Sequence, residues 1–104
     1  MTTEEKFKFE QMAKVSKALA HAARLYIIHK LNEKEYCVKD ITEMIGSDIS
    51  TVSKHLKVLK EAGIISAEKR GNCVYYSLQT KCVLNIFSCV MNVLDSNKAK
   101  LNMI

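Results

Sequence analysis

Glycines at positions 46, 63 and 71, and the absence of any proline, constrain this chain more than any other feature. Glycine and proline are the strongest local breaks, so the stretches between these three marks are expected to be continuous elements. Before Gly46 the apolar spacing is helical. Phe9, Met12, Ala13, Ser16 and Leu19 recur at steps of three and four, and Leu25, Ile28 and Leu31 resume the period after a break near His21. Val38, Ile41, Met44 and Ile45 predict a third, short helix that closes at Gly46, where a left-handed residue can end it.

Asp48 then stands where a side chain can accept the free N–H groups of a new helix. In "ISTVSKHLKVLKEAG", Ile49, Val52, Leu56 and Leu59 form one apolar stripe, while Ser50, Lys54 and Lys57 take the opposite face with Thr51 at its flank. After Gly63 the period changes. Ile64 to Lys69 and Cys73 to Leu78 are β-prone runs around Arg70-Gly71-Asn72, which predicts a two-stranded hairpin with Val74, Tyr76 and Leu78 on one side and Cys73, Tyr75 and Ser77 on the other. Helical spacing returns from about Thr80 to Asp95 through Val83, Phe87, Val90 and Leu94, and the final "SNKAKLNMI" reads as frayed.

With 104 residues the chain is expected to form one domain, 1–104, able to bury roughly two-thirds of the surface its unfolded form exposes. A dimer would relieve that shortage. No run of about 18 apolar residues exists to span a membrane, and the polar opening "MTTEEKFKFEQ" lacks a secretory apolar region, so the cytoplasm is the expected location. There, four cysteines with no CxxC favour thiols or metal ligands over structural disulfides, a preformed zinc knuckle or a thioredoxin-type site. A net charge of +5 favours an acidic partner, nucleic acid first and anionic lipid second. From Lys54 to Arg70, Lys54, Lys57, Lys60, Lys69 and Arg70 stand against only Glu61 and Glu68.

Two short helices meeting at a glycine turn, followed at once by a basic hairpin, have the layout of a winged helix-turn-helix. The fold class expected is therefore mainly α with a small β-hairpin. A helix fits the major groove of DNA, small side chains such as Ser50 and Thr51 let its start approach base edges, and lysines on that face meet phosphates. Lys69 and Arg70 at the hairpin tip are placed for an adjacent minor groove or backbone.

From about Lys17 to Leu78 the sequence resembles the ArsR/SmtB family of metal- and thiol-responsive winged-helix repressors. The family's "KALxxxxR", "ELCVCDL", "STVSxHLxxLxxAGLV" and "GxxVYYxL" stand here as "KALAHAAR" at 17 to 24, "EYCVKDI" at 35 to 41, "STVSKHLKVLKEAGII" at 50 to 65 and "GNCVYYSL" at 71 to 78. The resemblance implies a homodimeric repressor, without catalytic chemistry or a required cofactor, that binds an imperfect palindrome of double-stranded DNA and releases it when an effector binds. Segments 1–20 and 79–97 would be the dimerisation helices, 38–62 the helix-turn-helix and 64–78 the wing. Ser50, Thr51, Ser53, Lys54 and His55 fall on the family's recognition helix. Ser53 and His55 lie at the edge of the buried stripe, so for His55 a packed imidazole and a phosphate contact are both open. His21 and His29 have no thiol or carboxylate neighbours at ligand spacing and read as structural.

Family members place effector sites in different parts of one scaffold. Cys37 matches the first cysteine of "CVCDL", but Lys39 occupies the second position. Residues 79–104 contain no histidine, which excludes the zinc site that other members carry on the last helix. The persulfide-sensing arrangement pairs a cysteine in the second helix with one in the last; "ARLYIIHKLN" has none, which weakens that option without removing it, since Cys37 lies just beyond. What remains is Cys82 with Cys89, a spacing that resembles the C-terminal-helix site of some arsenic-responsive members. On an unbroken helix their Cα atoms would stand about 10 Å apart, beyond the roughly 7 Å that a disulfide tolerates. The pair therefore needs a late helix start, a partner subunit's cysteine, or a third thiol from Cys37 or Cys73. Trivalent arsenic or antimony is the first effector on this reading, and a soft divalent metal such as cadmium or lead, or an oxidant, the second. A constitutive regulator with inert, packed cysteines, a small thiol-redox enzyme, and a protein-interaction module that uses the basic helix are the rivals.

Overall fold

The computed structural model describes residues 1–102. Helix α1 (Thr3–Leu19) opens with a reciprocal cap: the Thr2 hydroxyl accepts from the Glu5 N–H, and the Glu5 carboxylate accepts from the Thr2 N–H. Helix α2 (Ala22–Leu31) follows after the break at His21, whose Nδ1 accepts the Ala23 N–H. A two-residue strand β1 (Tyr36–Cys37) leads into α3 (Val38–Ile45), closed by Gly46 at φ 79° with its N–H donating to the Thr42 carbonyl. Helix α4 (Ile49–Glu61) is followed by β2 (Ile65–Arg70) and β3 (Cys73–Leu78), joined through Gly71 and Asn72. Gly71, at φ 63°, takes the first place of this two-residue turn, where a type II′ hairpin asks for glycine. A 3₁₀ turn (Lys81–Val83) precedes the last helix, α5 (Leu84–Asn102).

The fold is the winged helix-turn-helix expected. Three details differ. The wing sheet has a third antiparallel strand, in the order β1-β3-β2, with Tyr36 opposite Tyr76 and Cys37 opposite Tyr75. Arg70 is the last strand residue, paired with Cys73, and not part of the turn. The last helix starts later than expected and continues through the stretch read as frayed, to Asn102; Met103 and Ile104 lie outside the described residues.

Ile27, Ile28, Ile41, Val52, Leu56, Leu59 and Ile65 are essentially inaccessible and form the centre of the core, with Tyr76 and Leu78 of the wing packed against it. Each such aliphatic side chain stabilises the fold by about 1.5–3 kcal/mol relative to leaving it in water. Ile49, expected on this stripe, is 52% exposed, because it sits in the first turn of α4 before the helix reaches the core.

The terminal helices do not share in this burial. Only Ala18 and Leu19 of α1 are buried, and no residue of α5 among those described is. The radius of gyration is 16.3 Å, against about 13 Å for a compact domain of this length. Phe7, Phe9, Met12 and Val15 on α1, and Ile86, Val90, Met91, Val93 and Leu94 on α5, are between 40% and 65% exposed. Apolar surface on this scale is unusual on a monomer.

Candidate nucleic-acid interface

Val52, Leu56 and Leu59 hold α4 against the core, and that fixes which side faces out. Ser50, Thr51, Ser53, Lys54 and Lys57 are all exposed. Asp48 organises the start of the helix. Its carboxylate accepts from the Thr51 N–H at 3.1 Å, from the Thr51 hydroxyl at 2.7 Å and from the Ser50 hydroxyl. These donors, the Ser50 hydroxyl first, hold the Asp48 carboxyl far below the usual carboxylate range. Both hydroxyls have donated inward, so they present lone pairs outward and can accept from a base amino group. Lys57 has only a loose pairing with Glu61, at 4.0 Å, with both side chains exposed.

On the wing the two basic residues part company. Lys69 is exposed and takes part in none of the ion pairs among the described residues. Arg70 instead forks onto Glu35 at 2.7 and 3.1 Å, reaches Glu68 at 3.0 Å, and lies 5.2 Å from the Tyr75 ring centroid. That guanidinium lowers the Glu35 pKa, and the two carboxylates raise that of Arg70. A phosphate would have to displace two carboxylates to engage it, so Arg70 is set to brace the wing, whereas Lys69 is held by no such pairing among the described residues.

His55 is half-buried. Its ring lies 4.3 Å from that of His21, tilted by 51°, and its Nδ1 is 3.3 Å from Arg24 Nη1. Of the two alternatives for this residue the geometry matches the packed imidazole. Burial first, and the neighbouring His21 and Arg24 charges second, lower its pKa below the ordinary 6.5. Arg24 has no role in the sequence reading, and its place in "KALAHAAR" is the one signal that singles it out.

The four cysteines are dispersed. Cys37 is buried at the N-cap of α3, where its Sγ–H donates to Asp40 at 3.1 Å. Cys73 is half-buried at the start of β3. Cys82 and Cys89 are exposed, and Cys82 lies in the 3₁₀ turn that delays the start of α5. Cys82 also lines a groove of about 380 Å³, shared with Val15, Ser16 and Leu19 of α1. Among the described residues no three His, Cys, Asp or Glu side chains stand close enough to hold one metal ion.

Residues 21–67, which span the helix-turn-helix and the first wing residues, match the family described as bacterial regulatory protein, arsR family. The SmtB repressor homologue of Synechocystis is 32% identical over 88 residues, covering 85% of this chain and 67% of that protein. A solution structure from Mycobacterium bovis, described as a homodimeric winged helix-turn-helix DNA-binding domain, superposes with a TM-score of 0.78 at 32% identity, covering 91% of this chain and 88% of that one. This chain belongs to the arsR family.

The family's members are described as bacterial regulatory proteins. The cadmium resistance regulator CadC of Listeria innocua is 38% identical over 77 residues, covering 73% of this chain and 65% of CadC. Several relatives are longer, and the chain spans between 40% and 65% of their length. Among the described residues no helix is long and apolar enough to cross a membrane.

Proposed function

We propose that this arsR-family protein is a dimeric repressor that reads double-stranded DNA with α4 and releases it when thiols bind a thiophilic effector. The observation that carries the DNA reading is the two-sidedness of α4: Val52, Leu56 and Leu59 are fully buried, while Ser50, Thr51, Ser53, Lys54 and Lys57 form an open polar and basic face. Lys69 on the wing extends that face. The unpartnered apolar faces of α1 and α5 support a dimer built from those helices. Two recognition helices related by a two-fold axis then address half-sites about 34 Å apart, which is why an imperfect palindrome is the expected operator.

For the effector, soft ions prefer sulfur ligands, and the exposed Cys82 and Cys89 are the accessible thiols. The 3₁₀ turn supports the late helix start their pairing requires. The scattered ligands within one chain favour a site completed by the partner subunit, with Cys37 and Cys73 in reserve. Arsenite or antimonite is the first effector and cadmium or lead the second, the latter favoured by the CadC relatives. Drawing thiols together beside the dimer helices would change the angle between subunits, so the two recognition helices would no longer fit the operator.

Titrating arsenite, then cadmium, into a complex of the protein with a duplex it selects from a random pool tests both parts. Stoichiometric release by arsenite is expected, with Cys82→Ser and Cys89→Ser remaining bound. Release by cadmium alone moves the assignment to soft divalent metals. Retention with every effector identifies a constitutive regulator with inert cysteines, and failure to select any duplex removes the DNA reading.

A further inference from the structure

This chain has sixteen basic residues, of which only Arg24 and Arg70 are arginine. Arginine offers five donors in a rigid fork, and lysine cannot substitute where several acceptors must be held in fixed geometry. Arg70 spends that fork on the wing. Arg24 spends its own on a junction that neither the family match nor the DNA reading assigns.

From α2, Arg24 Nε donates to the Ala18 carbonyl at 2.6 Å and Nη2 to the Lys17 carbonyl at 3.3 Å, both in the last turn of α1. Nη1 reaches His55 Nδ1 on α4 at 3.3 Å. A guanidinium has no lone pair to offer, so His55 must accept at Nδ1 and carry its proton on Nε2. His21 Nδ1 is likewise committed as an acceptor, from the Ala23 N–H. Of α1, only Ala18 and Leu19 are buried against the domain. A single side chain thus links the end of the proposed dimer helix to the flank of the recognition helix.

We propose that Arg24 is a positioning residue that sets the angle of α4 relative to α1 through a neutral His55, and so makes duplex binding weaken in acid. The inference rests on the DNA reading above. The charged or titratable groups whose fields reach His55 are Arg24 from α2 and His21 from the α1–α2 junction, both cationic when protonated, with no carboxylate opposing them. Lys14, Lys17 and Glu61 border the groove on the other side of Arg24. Protonating His55 replaces the acceptor with an N–H aimed at a guanidinium. The neutral form is therefore the one the junction needs: the contact is fully present above His55's unfolded value of 6.5 and is lost as pH falls through its lower folded value. The alternative role, a protonated His55 on a phosphate, has the opposite sign, with affinity rising in acid.

The test is duplex affinity at fixed salt from about pH 7.5 to about pH 5, a range carried to the acid end of histidine titration because His55 is lowered, for wild type, Arg24→Ala and His55→Gln. Wild-type affinity is expected to fall about 10-fold across that range, a charge-assisted hydrogen bond's worth. His55→Gln, which keeps an acceptor and cannot be protonated, is expected to show no such fall. Arg24→Ala is expected to lose about 10-fold at neutral pH with its salt slope unchanged, since no phosphate contact is removed. Imidazole nitrogen NMR without DNA is expected to show the Nε2–H tautomer at His55. Affinity that rises in acid, or that ignores pH and Arg24→Ala alike, overturns the positioning role while leaving the DNA reading intact. A wild-type protein that binds no duplex overturns the DNA reading and this inference with it.

Discussion

Replacing Lys54 and Lys57 together by alanine is expected to cost roughly 10³-fold in duplex affinity at 0.1 M salt and to flatten the salt dependence by about 3.6 in log–log slope. Each phosphate contact to B-DNA contributes about 0.9 to that slope through released counterions, and a dimer presents each lysine twice. Both side chains are exposed, and the one ion pair, Lys57 with Glu61, is loose, so the fold has little to lose. Thermal unfolding should therefore be nearly unchanged while DNA binding collapses. An unaltered slope would mean that α4 does not lie against phosphates and would favour an acidic protein partner for this face.

The second large effect lies at the other end of the molecule. Val90→Glu combined with Leu94→Glu is expected to convert a dimer to a monomer in sedimentation equilibrium, with at least a 1000-fold weakening on the order of what unpaired buried carboxylates cost. Val90 and Leu94 are 47% and 52% exposed in the single chain and share an apolar groove of about 270 Å³ with Leu25, Ile86, Phe87 and Met91. If that surface is buried only between subunits, the variant monomer should keep its helix content, since neither Val90 nor Leu94 belongs to the core centred on Leu56 and Ile28. Duplex affinity should fall with the dimer. A variant that remains dimeric would place the interface elsewhere.

The parts of this fold that were legible in sequence are those governed by local chemistry. Asp48 caps α4, Gly46 ends α3 and Gly71 turns the hairpin because a side-chain acceptor or a positive φ is needed at a fixed offset. The break at His21 was visible as a lapse in period, though its cause, an imidazole capping α2, was not. What escaped depends on residues distant in the chain. Strand β1 is only two residues long and exists because β3 offers it an edge, which no pattern in "EKEYCV" announces. The bond from Arg70 to Glu35 spans 35 positions, and that from Arg24 to His55 spans 31, so neither clamp leaves a local signature. For the cysteines, an unbroken helix would hold the Cα atoms of Cys82 and Cys89 about 10 Å apart; the 3₁₀ turn at Lys81–Val83 removes Cys82 from that helix.

The most direct test of a dimeric DNA reader is a hydroxyl-radical footprint of the protein on a duplex it has selected, with the stoichiometry measured in parallel. Two protected segments centred about one helical turn apart, roughly 34 Å, with two protein chains per duplex, are the predicted result. A single protected segment bound by one chain, or no protection at low salt, would contradict it.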